Sequence, residues 1–246
     1  MQLTKHIKSF FIDNLAYMST CEDDQFDWAI CDPNYGIGAS RPSRKPEKVK
    51  QKNGQYLKVE TKKYTHKSWD DSPPPPEYFK EVQRVSKKQI IWGVNYYDTP
   101  LPGGRLVWDK LNGGTDQFDC EIAYLSFTKR TEIVYYLWSG MMQGVKAGSD
   151  VRTAYKQRGN KNTNEQRIHP TQKPVALYRW ILEKWVKPGQ TIYDSHEGSG
   201  SLGIACELHG CDYTGNENDE EYYLKKNERV KRIFLNKGML TFNQNQ

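Results

Sequence analysis

The chain has 246 residues with 36% hydrophobic content, enough for one α/β domain with a substantial buried core and insertions. Its net charge of +6, pI near 8.9 and mean hydropathy of -0.88 argue against a membrane span and favour a polyanionic partner. Five cysteines (Cys21, Cys31, Cys120, Cys206 and Cys211), an odd number without a CxxC pair, argue against a zinc ribbon or a disulfide framework and read as reduced packing residues.

The amino-terminal MQLTKHIKSFFIDN has a brief apolar patch broken by Asp13 and no signal-peptide cleavage pattern, so the expected compartment is the cytoplasm. Ser9 to Met18 reads as a first strand and turn, in which Asp13 follows Phe10, Phe11 and Ile12 and would cap a turn starting at Asn14. Phe26 to Cys31 is short, apolar and aromatic or β-branched at several positions, which predicts a buried strand ended by Pro33 and Gly36. Asp32 and Tyr35 then stand at its carboxyl end, the edge where open α/β sheets bind ligands. A carboxylate, a rigid carbonyl and an aromatic ring are the parts needed to hold a flat amine. Asp-Pro and Tyr-Gly are also ordinary turn chemistry.

From Arg41 to Lys67 there are ten Lys or Arg against Glu47 and Glu60, with few aliphatic residues. Such a segment is either a solvated insertion or one that orders against phosphates. Pro73 to Pro76 marks a rigid linker, Glu77 to Ser86 a helix and Gln89 to Trp92 a strand, with Asn95 in a polar turn. Arg105 to Trp108 and Glu132 to Trp138 read as strands, Cys120 to Phe127 as a strand or helix, and Trp108 and Trp138 as core. Residues 139–167 turn to Gly, Gln, Asn and scattered bases without a period. In His169-Pro170-Thr171-Gln172-Lys173-Pro174 the second proline opens a helix from Val175 to Val186.

Thr191 to Asp194 is a strand, followed by a glycine-rich loop and a helix from about Ser201. Gly198 and Gly200 allow close backbone approach, and the helix amino terminus offers unpaired N–H groups. Gly198-x-Gly200-x-x-Gly203, with Glu217 after the next strand, satisfies the dinucleotide fingerprint literally and would predict NAD. Asp194 competes with that reading. An acid there suits a cationic ligand with an amino group, such as S-adenosylmethionine, better than a pyrophosphate.

Asp32-Pro33-Asn34-Tyr35-Gly36, QIIWGVNYY (89–97), LVWDKLNGGTD (106–116), IHPTQKPVALYRWIL (168–182) and YTGNENDEEYY (213–223) together resemble, in order, a DNA amino-methyltransferase of the permuted class. In that class the catalytic tetrad precedes the cofactor loop. The resemblance covers nearly the whole chain and implies a Rossmann-like α/β fold, with a mostly parallel sheet and helices on both faces. It also implies one methyltransferase domain over 1–246, a basic DNA-contacting insertion at about 41–70 and a target-recognition region at about 139–167.

The resemblance assigns Asp32, Pro33, Asn34 and Tyr35 to catalysis. It assigns Asp13, His169, Lys173, Asp194, Gly198, Ser199, Gly200 and Glu217 to S-adenosylmethionine, with Lys173 on the methionine carboxylate, Asp194 on its amino group and Glu217 on the ribose. Asn95 could line a pocket or form a turn. The partner implied is double-stranded DNA, in a bacterial cell or encoded by a phage, with no metal and with a homodimer left open. Asp at the first tetrad position favours adenine N6 over cytosine N4, where Ser is usual. Asn34 in place of a second proline, and Ser195-His196-Glu197 before Gly198, depart from the family pattern and leave a non-catalytic DNA-binding homologue as an alternative.

Overall fold

A computed structural model describes residues 1–39, 48–50, 54–58, 67, 69–113, 118–139, 142–154 and 156–234, with backbone alone at 48–50, 56–58, 153 and 161. Strands β1 (Ile7–Phe11) and β2 (Phe26–Cys31) flank helix α1 (Asn14–Met18), and a hairpin of β3 (Lys48–Lys50) and β4 (Tyr56–Lys58) follows. Next come α2 (Pro76–Arg84), β5 (Ser86–Trp92), β6 (Gly104–Asp109), β7 (Cys120–Leu125) and β8 (Thr131–Tyr135). The short β9 (Trp138–Ser139), β10 (Met142–Gln143) and α3 (Val151–Ala154) lead to α4 (Val175–Trp185) and β11 (Thr191–Asp194). Helix α5 (Ser201–His209), β12 (Asp212–Glu217) and α6 (Glu220–Phe234) complete the described chain.

Eight strands form one sheet in the order β1-β12-β11-β2-β5-β7-β6-β8. Every neighbouring pair is parallel except the two made by β7, so the sheet is mostly parallel as expected. Its central strands read as continuous apolar runs because both faces are covered. Trp28 and Ile30 of β2 join the core under α4 and α5, while Ala29 and Cys31 join the core under α1 and α2.

Local signals explain the helix starts. Pro75 and Pro76 open α2, Pro174 caps α4, and Asp13 Oδ1 accepts the Ala16 N–H at 3.0 Å as the cap of α1. Such a cap is worth about 1 kcal/mol. The segment Cys120 to Phe127 resolves as strand β7, running antiparallel between β5 and β6. The strand expected from Glu132 to Trp138 breaks at Tyr135, which lies level with Asp109, where its partner β6 also ends. Beyond the break, the Tyr136 N–H reaches the carbonyl of Asp109 and the Trp138 N–H that of Lys110. Trp108 and Trp138 are buried.

Most of the segment expected as a basic insertion lies outside the described residues. In the region 139–167, Lys146, Arg152 and Lys156 are exposed, but Arg158 is spent on the carbonyls of Gly144 and Thr163. Among the described residues no helix is long and apolar enough to cross a membrane.

Candidate active site

β12, β11, β2 and β5 lie side by side and parallel, so their carboxyl ends share one edge. From β11 the chain crosses through α5 to β12 on one side; from β2 it runs through α2 to β5 on the other. The two paths diverge between β11 and β2, the switch point where open sheets form a crevice. Register sets Tyr193 level with Ala29 and Asp194 level with Gly215, so Asp32, Asp194 and Glu217 emerge at one rim. A cavity of about 700 Å³ opens there, lined by all three acids.

The turn after β2 is held from outside. Asp70 accepts the backbone N–H groups of Tyr35 at 2.8 Å, Gly36 at 2.9 Å and Ala39 at 2.6 Å. The Asn34 amide donates to the Ser72 carbonyl, so this departure from the family's proline exchanges ring rigidity for a tether. Gly93 lets the Tyr35 ring come close, since a Cβ there would lie 2.2 Å from a ring carbon. The ring stacks on Tyr96 with centroids 5.0 Å apart and planes 16° from parallel. Asn95 is exposed and does not line the cavity, leaving the turn-forming role.

The Tyr35 hydroxyl turns inward, donating to Asp32 Oδ1 at 2.7 Å with Glu121 Oε2 3.0 Å away. The ammonium of Lys173, which the resemblance assigns to the methionine carboxylate, donates within the cavity to Asp32 Oδ1 and to Glu121 Oε2 at 2.8 Å. The cause is electrostatic: a buried ammonium settles on the nearest buried carboxylates. Lys110 holds the other Glu121 oxygen at 2.6 Å. Burial pushes the Asp32 pKa up against the pull of Lys173, whereas for Glu121 the two lysines overcome burial and hold it low, at about 2. Glu121 and Lys110 were not singled out from sequence. The available signal was an acid in an otherwise apolar strand, paired in register with buried Trp108.

On the other side of the cavity, Asp194 Oδ1 accepts the His196 N–H at 3.1 Å and Oδ2 the Tyr213 hydroxyl at 3.0 Å. Burial lifts its pKa to about 8. Glu217 accepts the N–H groups of Gly198, Asn218 and Asp219 at 2.9 to 3.0 Å, and burial lifts its pKa to about 7. Its carboxylate keeps lone pairs for hydroxyl donors. His169 lies against the rings of Trp69 and Tyr222, and burial lowers its pKa to about 3. Ser199 is buried, its hydroxyl 3.0 Å from that of Ser201. His196, where the family has an apolar residue, bonds Ser195 at 2.8 Å and Asn14 at 3.1 Å.

Eleven of the twelve residues expected at the site line this one cavity, Asp13, Pro33 and Gly198 among them. The exception is Gly200. It takes a φ of +71°, and a Cβ there would lie 2.5 Å from the Lys226 side chain, so packing against α6 by itself requires glycine here.

The profile of the DNA methylase family matches residues 39–228, from β3 into α6, which includes Lys173, Asp194 and Glu217 of the cavity, whereas Asp13 and the Asp32 to Tyr35 turn precede it. The chain belongs to the DNA methylase family. Escherichia coli (strain K12) YubD is 27% identical to this methylase over 160 residues, covering 62% of the chain and 67% of YubD. The type II methyltransferase M2.MboI of Moraxella bovis is 26% identical over 185 residues, covering 75% of the chain and 53% of that protein. Among solved structures, the PvuII cytosine-N4-specific DNA methyltransferase matches over 94% of this chain and 92% of its own, at 10% identity and a TM-score of 0.49.

Membership in this methylase family overturns the NAD reading of the glycine fingerprint. The methyl donor of the family is S-adenosylmethionine. The donor set fits it: two buried acids with raised pKa values, Asp194 and Glu217, complement a ligand bearing positive charge and hydroxyl donors. Among the described residues no cluster of His, Cys, Asp and Glu could hold a metal ion.

Proposed function

We propose that the protein methylates the exocyclic N6 of an adenine swung out of duplex DNA, using S-adenosylmethionine. The observation that carries this reading is that Asp32, just past β2, and Asp194, at the end of the neighbouring parallel strand β11, open onto one cavity. An adenine amine is a weak nucleophile, its lone pair being delocalised into the ring. Asp32 and the Pro33 carbonyl accept its two hydrogens, draw the nitrogen toward tetrahedral geometry and stabilise the positive charge that develops there. S-adenosylmethionine supplies an electrophilic methyl group on a sulfonium centre. Tyr35, backed by the stacked ring of Tyr96, walls the base side, and base release from the duplex costs a few kcal/mol that phosphate contacts and stacking offset.

Asp194 takes the methionine amino group and Glu217 the ribose hydroxyls. This assignment has a proton signature. With its pKa raised to about 8, free Asp194 is mostly protonated at neutral pH, and a cationic ligand binds its ionised form. Binding therefore releases a proton. Calorimetric titration with S-adenosylmethionine in two buffers of different ionisation heat shows the release, and Asp194→Asn abolishes it; equal release in that variant would remove Asp194 from the cofactor site.

The activity itself is tested with methyl-labelled S-adenosylmethionine and genomic DNA from a methylation-deficient host, digested to nucleosides. Label in N6-methyladenine is expected. Label in N4-methylcytosine would overturn the base assignment, and DNA binding with no label would favour a non-catalytic homologue.

A further inference from the structure

Lys173 is shared. Its side chain is 2% exposed, and its one ammonium serves Asp32 Oδ1, Glu121 Oε2 at 2.8 Å and the Tyr35 hydroxyl at 2.8 Å. An ammonium donating to Asp32 is an amine on the same carboxylate that the proposed reaction needs for the base. Asp32 Oδ1 already accepts from both Lys173 and the Tyr35 hydroxyl, and a cation fixed on Asp32 cancels the negative field that a developing positive charge requires. Glu121 is the second anchor within reach. It lies on β7, is held in place by Lys110 at 2.6 Å, and already accepts from the same nitrogen.

Resting on the methyltransferase reading above, we infer that Lys173 is a positioning residue: it keeps Asp32 ionised before the base arrives, then passes to Glu121 when the base amine takes its place. Its own contacts make the transfer short, because the bond to Glu121 exists from the start and only the bond to Asp32 is exchanged. The groups facing Asp32 are Lys173 ahead of α4, Tyr178 on α4, Tyr35 in its own turn, Glu121 on β7, Tyr97 after β5 and Asp194 on β11. Lys173 is the cation among them. Burial raises the Asp32 pKa, Lys173 opposes that rise, and Glu121 adds to it.

The test follows the Asp32 carboxyl carbon by NMR titration in the full chain, assigned with Asp32→Asn, alongside single-turnover methyl transfer to unmethylated genomic DNA. Lys173→Met moves the Asp32 midpoint up by roughly one to three pH units and carries the acid limb of turnover with it, whereas Lys173→Arg restores both toward wild type. Glu121→Gln separates exchange from simple ionisation: the midpoint falls because a negative neighbour is gone, yet turnover drops roughly tenfold or more because Lys173 has lost its second anchor. An unmoved midpoint in Lys173→Met, or undiminished turnover in Glu121→Gln, overturns the inference. The carboxyl titration needs no turnover, so its failure is distinguishable from failure of the proposed function.

Discussion

Replacing Asp32 by alanine lowers methyl transfer by roughly 10²–10³-fold or more, while affinity for S-adenosylmethionine stays near its wild-type value. The carboxylate acts on charge that appears only as the methyl group moves, so its loss raises the barrier rather than loosening the ground-state complex. It follows β2, the strand next to that of Asp194, which is engaged by the His196 N–H and the Tyr213 hydroxyl instead. The fold tolerates the change because Lys173 retains Glu121 at 2.8 Å, so no buried ammonium is stranded. Single-turnover transfer of labelled methyl, paired with equilibrium titration of the cofactor, measures both quantities. Asp194→Ala should give the opposite pattern, weak cofactor binding above all. An exchange of the two phenotypes would reverse the roles assigned to these acids.

Lys226→Met should lower the stability of the fold by roughly 3–5 kcal/mol, a fall in Tm of about 6–20 °C. Lys226 on α6 is 1% exposed and pairs at 2.6 Å with Glu197 of the cofactor loop, whose side chain is fully buried. Ser9 on β1 donates to the same Glu197 oxygen at 2.6 Å, and Lys226 donates to Ser9. Removing the ammonium leaves a carboxylate out of water with one hydroxyl donor, the costly half of a buried pair. Thermal unfolding followed by circular dichroism checks the size. The double variant Lys226→Met with Glu197→Gln should recover much of the loss, since the uncompensated charge is gone. A single variant as stable as wild type would mean that the pair contributes nothing.

The same pair explains why the cofactor loop is only partly legible in the sequence. Gly198-x-Gly200-x-x-Gly203 announces a tight strand-to-helix loop, and β11 and α5 occur where the pattern places them. Yet Gly200 answers to the Lys226 stem, and Gly203 to the Tyr213 ring, 3.1 Å from where a Cβ would stand. A fingerprint read as ligand contact is thus partly a packing requirement, and nothing local distinguishes the two. Asn34 carries a similar lesson: it looks like a loosened proline bend until Ser72, 38 residues later, receives its amide.

The order of residues by itself determined the strand Phe26–Cys31 with its acidic turn, the strand Thr191–Asp194 with its glycine loop, and the helix opened by Pro174, because apolar runs and prolines act over a few neighbouring residues. Only the tertiary structure decided which charges share the cavity. Lys173 meets Asp32 across 141 residues of chain, and Glu121 joins them from β7, which runs antiparallel to both its neighbours in the eight-stranded sheet. Those meetings depend on strand order and register. A buried ion settles on whatever opposite charge the finished sheet brings within reach, and no spacing along the chain encodes that distance.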